Sequence, residues 1–388
     1  MPSNTTPHLF APYQLRSLTL ANRVVVSPMC QYCAHDGFPD DWHFVHLGSR
    51  AIGGASLVIT EASAVLPEGR ITPGDLGLWD DAHIPAFARI VDFLHTHGSA
   101  AGIQLAHAGR KASMAVPWED VRVIPPAEGG WTNVFAPSSI PFNEHYPTPI
   151  ELSLDEIRRI QHAFRDAAVR ALAAGFDVLE IHAAHGYLIH EFLSPASNHR
   201  TDQYGGSFDN RIRFLLETIH LVREVWPESL PLFVRVSATD WLEFPESNPD
   251  FATQPDNLGW TVSQTVQLAH LLKDHAVDLI DVSSGGNISK VTIPVGPGYQ
   301  TAFAARIKHE THLPTATVGM ISSPEQADQI VRTHQADLVL LARELLRDPY
   351  WPLRAAQQLR FDISWPVQYV RAAAGRRPAR QPFIPPTR

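Results

Sequence analysis

The 388 residues are 44% hydrophobic and 18% charged, with a formal net charge of −9. Such a chain can bury a large core, and its acidic balance gives no global basic field to draw nucleic acid or an anionic membrane. No apolar run reaches the roughly 18 residues a membrane span requires, no basic-then-apolar leader opens the chain, and Cys30 and Cys33 sit too close together to staple a framework, so a cytoplasmic, reducing environment is expected.

Residues 9–20 alternate weakly around Arg16-Ser17, which suggests a short hairpin plugging the floor of a barrel. A strand-then-helix rhythm follows. Val24-Val25-Val26 ends at Ser27-Pro28-Met29-Cys30, and 43–53 reads as a helix; Leu57-Val58-Ile59 ends at Glu61-Ala62, and 83–97 has apolar residues at helical period. The third strand, Ala101 to Leu105, carries Gln104 and leads into a long Pro- and aromatic-rich excursion over 115–150 with no period, a loop or cap. Ser153-Leu154-Asp155-Glu156 matches a capping box, and its helix stops at Gly175.

The fourth strand, Val178 to Ile181, runs directly into His182, His185 and Tyr187. The remaining strands are read at 232–236, 279–282, 315–318 and 338–341, with helices at 208–225, 259–275, 302–310, 323–333 and 345–359. Residues 243–258 form a polar, Pro-rich insertion, and the Arg- and Pro-rich tail 373–388 is expected to be disordered. Eight such units predict an α/β fold, a (β/α)8 TIM barrel in one domain over 1–372 with an N-terminal hairpin. A doubly wound sheet would carry a G-x-G-x-x-G turn after its first strand, and none is present.

In such a barrel the C-terminal strand ends face one mouth. They supply Ser27, Pro28, Met29, Cys30, Ala62, Gln104, His182, Arg235, Gly319, Met320, Ala342 and Arg343. Such a ring suits a large ligand that is polar along one edge and anionic at one end. Phosphate often sits beside the seventh and eighth strand ends, where Gly319 allows close backbone approach and Arg343 offers a bidentate grip.

The motifs Ser27-Pro28-Met29-Cys30-Gln31-Tyr32, Gly69-Arg70-Ile71-Thr72, Gln104 to Lys111, His182 to Leu188, Phe192 to Pro195, Asn198 to Asp202 and Arg343 to Pro349 are long and specific. The chain resembles the Old Yellow Enzyme family of FMN-dependent ene-reductases over about 9–371, and most of all its bacterial, thermophilic-like (xenobiotic reductase-like) subgroup. The resemblance implies that Ser27, Pro28, Met29 and Ala62 bed FMN, that Gln104 and Arg235 meet its pyrimidine edge, and that Gly319, Met320, Ala342 and Arg343 hold its phosphate. It further implies that Cys30 tunes the flavin and Tyr32 reaches the substrate. NADPH or NADH would be the reductant, with an activated alkene as substrate. His182 and His185 would bind its carbonyl or nitro oxygen, each presenting an N–H inward, hydride would pass from flavin N5 to Cβ, and Tyr187 would protonate Cα. A homodimer or homotetramer is implied, with Arg371 entering a neighbouring site. Two departures stand out. Ala342 replaces a glycine, and the chain reads Arg371-Ala372-Ala373 where the family has Arg-Gly-Trp.

Other readings of the same residues are blander or differ in class. His182 and His185 alone fit a structural pair, or a metal-dependent barrel hydrolase if a third ligand joins them. Cys30-Gln31-Tyr32-Cys33 has C-x-x-C spacing, yet no helix start follows and no second pair exists, so Cys33 is read as inert and a four-thiolate iron–sulfur cluster is excluded. His43 and His46 read as surface or packing residues, and Lys111 as a flavin contact or the partner of a carboxylate.

Overall fold

The computed structural model describes residues 8–244, 246–247, 259–373 and 380–386. Two short strands, β1 (Tyr13–Leu15) and β2 (Leu18–Leu20), pair antiparallel around Arg16, whose φ of 50° turns the chain. Eight parallel strands then close a barrel: β3 (Val24–Val26), β4 (Leu57–Ala64), β5 (Ala100–Ala106), β8 (Val178–Ala183), β9 (Leu232–Ser237), β10 (Leu279–Ser283), β11 (Thr315–Thr317) and β12 (Leu338–Leu341). Each neighbours the next in chain order, and β12 returns to β3. The intervening β6 (Phe135–Ala136) and β7 (Ile150–Glu151) form a small separate sheet inside the excursion after β5.

Alternation along the strands makes two cores. The inward set includes Val25, Leu57, Val178, Phe233 and Leu279, and it is sealed from below by Leu15, Leu18 and Leu20 of the hairpin. The plug is thus a hydrophobic stopper, as the sequence suggests. The outward set packs under the helices α1 (Asp41–Ile52), α2 (Ile84–Thr96), α3 (Leu154–Ala174), α5 (Phe208–Arg223), α6 (Val262–Asp274), α7 (Thr301–Thr311) and α8 (Pro324–Arg332). The short α4 (Leu188–Leu193) follows β8 directly. The α3 capping box forms as read: Glu156 N–H donates to Ser153 Oγ at 3.2 Å, Ser153 N–H donates to the Glu156 carboxylate at 2.9 Å, and Gly175 ends the helix with φ 99°.

Two sequence expectations change. The last helix is broken into α9 (Arg343–Arg347) and α10 (Trp351–Gln358), because Asp348 precedes Pro349 and is held extended (φ −140°, ψ 95°). In place of an unstructured tail, residues 380–386 return to the barrel floor: Arg380 donates to Ala51 O (2.6 Å), His97 O (3.3 Å) and Ser364 O (3.2 Å), capping the C-terminal ends of α1 and α2. Residues 374–379, and most of the 243–258 insertion, lie outside the described residues. No described helix is long and apolar enough to cross a membrane.

Candidate active site

At the mouth, β8 delivers His182, and the chain then turns through His185 (φ 60°) and Gly186 (φ 71°) to Tyr187, the N-cap residue of α4. A side chain at Gly186 would run into the Gly286 carbonyl, so this turn requires glycine twice over, for conformation and for space. Buried bonds hold the turn: Gly186 N–H donates to His190 Nδ1 (2.9 Å), and His190 Nε2 faces Asp240 Oδ1 at 3.1 Å. Lys111 Nζ donates to the carbonyls of His185 and Gly286. It therefore locks two loops together, rather than pairing with a carboxylate as one sequence reading held. Burial, then the neighbouring Arg110, pushes its ammonium down to about 7.

The rings of His182 and His185 are 5.1 Å apart, as are those of His182 and Tyr187. Burial first, and the charge of Arg235 second, holds both imidazoles well below their usual titration range, so both are neutral and each carries one N–H. Ala184 N–H donates to His182 Nδ1 (3.3 Å), which leaves the proton on Nε2, 3.4 Å from His185 Nδ1. His185 Nε2 lies 2.7 Å from Ser283 Oγ, a hydroxyl able to serve either tautomer. Burial raises the Tyr187 phenol well above its ordinary value, and Cys30 and Asp75 raise it further, so it stays protonated. Burial likewise keeps the Cys30 thiol un-ionised. Tyr32 (φ 53°) stands edge-on to Trp118, with ring centroids 5.9 Å apart.

Beside this cluster lies a cleft of about 290 Å³. Arg235, Gly319, Met320, Ala342 and Arg343 line it, as read from the strand ends. Sequence reasoning missed Ser283, Tyr299, Gln300, Ser322 and Arg347, which also line it; Tyr299 and Gln300 sit at the end of an aperiodic loop that carries no signal of its own. Gly319 has φ 125°, and a Cβ there would come within 2.8 Å of Gln300 Nε2 and 2.9 Å of the Tyr299 ring. Ser283 lines the cleft and also touches His185, while Arg235 lines it and pairs in register with His182. A ligand filling the cleft thus abuts the histidine pair.

Of the remaining expected residues, Ser27 is buried just past β3, its Oγ without a hydrogen-bond partner among the described residues, and Ala62 is buried on β4. Pro28, Met29 and Cys30 are half-buried. Gln104 Nε2 donates to Glu180 Oε1 at 2.8 Å. An orphan hydroxyl, a glycine-walled cleft and a mouth-facing guanidinium fit a polar, anionic cofactor. Arg371 lies in the exposed 3₁₀ turn Val367–Ala372 and is not among the residues lining the cleft.

The metal reading of His182 and His185 gains no third ligand among the described residues. Among the described residues, the Cys/His/Asp/Glu group with ligand atoms within 4.8 Å of one another is Cys33, Asp40 and His43. There Asp40 caps α1, accepting from Trp42 N–H and lying 2.7 Å from His43 Nδ1, so the buried His43 and His46 are packing residues rather than surface ones.

Residues 8–362 match the sequence profile of the NADH:flavin oxidoreductase / NADH oxidase family, which includes Old Yellow Enzyme. The chain belongs to that family. It is 50% identical to an NADPH dehydrogenase of Geobacillus thermodenitrificans over 365 residues, 94% of this chain and 98% of the relative. It is 48% identical to an NADPH dehydrogenase of Bacillus pumilus over 366 residues, with the same shares covered. Among solved structures, morphinone reductase in complex with tetrahydroNAD superposes with a TM-score of 0.72 at 27% identity, covering 93% of each chain. The Old Yellow Enzyme family member described here is therefore an FMN-dependent NADPH oxidoreductase built on a (β/α)8 barrel.

Proposed function

We propose that this oxidoreductase reduces the activated C=C bond of α,β-unsaturated carbonyl or nitro compounds. The observation that carries the reading is the contact between the two halves of the mouth: Ser283 lines the cleft and touches His185, and a phenol stands 5.1 Å from the adjoining imidazole. FMN held there would supply the hydride chemistry, with NADPH or NADH as the reductant and the alkene Cβ as the acceptor.

The protein's part begins with binding. Ser27, Pro28, Met29, Cys30 and Ala62 would bed FMN, Gln104 and Arg235 would meet its pyrimidine edge, and Gly319, Met320, Ala342 and Arg343 would take its phosphate. Cys30 would tune the cofactor, and Tyr32 would border the substrate. His182 and His185 orient the substrate oxygen, His182 through Nε2–H and His185 through Nδ1–H when Ser283 donates to its Nε2. Negative charge grows on that oxygen as Cβ is reduced, and one preorganised donor to such a charge contributes about 3 kcal/mol. Tyr187, protonated because it is buried, then donates its proton to Cα. Arg371 would reach a substrate only across a subunit boundary, in a dimer or tetramer.

The test is anaerobic. The purified protein should be yellow, lose its colour with NADPH, and regain it with cyclohexenone or maleimide. Colour that returns with oxygen or a quinone, and with no activated alkene, would show a different physiological acceptor.

A further inference from the structure

Directly under the mouth, inward residues make two in-register polar pairs, Gln104 of β5 with Glu180 of β8 and Arg235 of β9 with Asp281 of β10, and Glu180 feels the charges of both Arg235 and Asp281. They sit on the apolar floor of Val178, Phe233 and Leu279, one step down each strand. Glu180 and Asp281 are fully buried, and Arg235 nearly so. The charge does not balance, since two carboxyls face one guanidinium. Asp281 Oδ2 lies 2.9 Å from Arg235 Nε, and Glu180 Oε1 accepts from Gln104. Among the described residues, Glu180 Oε2 and Asp281 Oδ1 lack a hydrogen-bond partner, and Asp281 Oδ2 faces Arg235 Nε as an ion pair without hydrogen-bond alignment. Around these residues, His182 and His185, both neutral, and the phenols of Tyr187 and Tyr299 all feel Arg235, and Lys111 and His190 act on His182. Burial raises Glu180 to about 8 and raises Asp281 as well, the Asp281 charge raises Glu180 further, and Arg235 opposes both shifts.

Two acids in a dry layer beside one fixed cation cannot both remain ionised cheaply. We propose that Glu180 and Asp281 form a proton-accepting pair that binds one further proton when the flavin over Arg235 is reduced. The inference rests on the reading that Arg235 meets the pyrimidine edge, where reduction deposits negative charge. That charge draws on the single guanidinium, and the pair beneath answers by taking a proton from solvent. The balance is two electrons and one proton delivered as hydride, plus one proton onto the pair.

The experiment is the midpoint potential of the bound FMN, measured by spectroelectrochemistry from pH 6 to 9, in wild type, Glu180→Gln and Asp281→Asn. A two-electron couple shifts by about 30 mV per pH unit for each proton taken up. Burial raises Glu180 to about 8, so the oxidised pair already holds its proton below that pH. The wild-type slope is expected to be about 30 mV per pH unit at pH 6 and to steepen toward about 59 mV above pH 8, while each variant keeps about 30 mV throughout and the reduced-state spectrum remains that of an anionic flavin. A wild-type slope near 30 mV across the whole range, or a steepening toward 59 mV retained in either variant, overturns the proposal. A neutral reduced-flavin spectrum in wild type would show instead that Arg235 does not meet the charged edge, and the proposal would fall with that reading.

Discussion

Tyr187→Phe removes one hydroxyl and little else. Among the described residues no hydrogen-bond partner to that hydroxyl is seen, so no donor or acceptor is orphaned by its loss, and the phenyl ring can keep its place beside His182. The stability change should stay within about 0.5 kcal/mol, as for substitutions that break no buried bond. Positioned proton donors contribute roughly 10²- to 10⁴-fold to rate, or about 3–5 kcal/mol at 1.36 kcal/mol per decade. Stopped-flow absorbance separates the two halves of the cycle. Flavin reduction by NADPH should keep its wild-type rate, and reoxidation by cyclohexenone should slow by at least a hundredfold. Equal slowing of both halves would mean that the substituted ring disturbs the cofactor. An unchanged alkene step would mean that water or another group supplies the proton.

Gly186→Ala places a methyl against the Gly286 carbonyl at φ 71°, which costs about 1–2 kcal/mol in conformation alone. A 1 Å displacement of positioned groups costs on the order of 100-fold, so its alkene turnover should fall with flavin still bound; wild-type turnover would contradict the role given to this turn. His107 is wholly buried, and burial lowers its imidazole to about 4. The unfolded chain therefore binds more protons below about pH 6.5, and stability present above that value is lost as pH falls toward 4, by about 3 kcal/mol at the limit. Denaturant unfolding of His107→Gln should depend less on pH than wild type over that window, and parallel curves would refute the assignment. Arg380→Ala removes a charged donor from the α1 and α2 C-termini, so it should cost about 2 kcal/mol and lower the Tm by a few degrees, with NADPH oxidation unaltered. An unchanged Tm would show that the returning tail adds no stability.

Much of the site was legible because barrels put strand ends in one place. Knowing that Val178–Ile181 was a strand was enough to place His182 at the mouth, and the same logic placed Arg235, Gly319 and Arg343. The α3 capping box and Gly175 are also local facts, decided by residues within a few positions of one another. What the chain alone determined, then, was whatever depends on short spacing: periods of two and of 3.6, caps, turns, and motifs long enough to reveal kinship.

Tertiary structure decided which distant residues share a proton or a bond. Ser283 meets His185 across 98 positions, Lys111 grips a carbonyl 74 positions on, and Arg380 returns to Ala51 across 329. Gln104 and Glu180, and Arg235 and Asp281, become buried pairs within one another's field only when four strands take their register. Register and closure come from packing the whole barrel, and a carboxyl's affinity for its proton depends on the water and charge around it; neither quantity belongs to any short stretch of sequence.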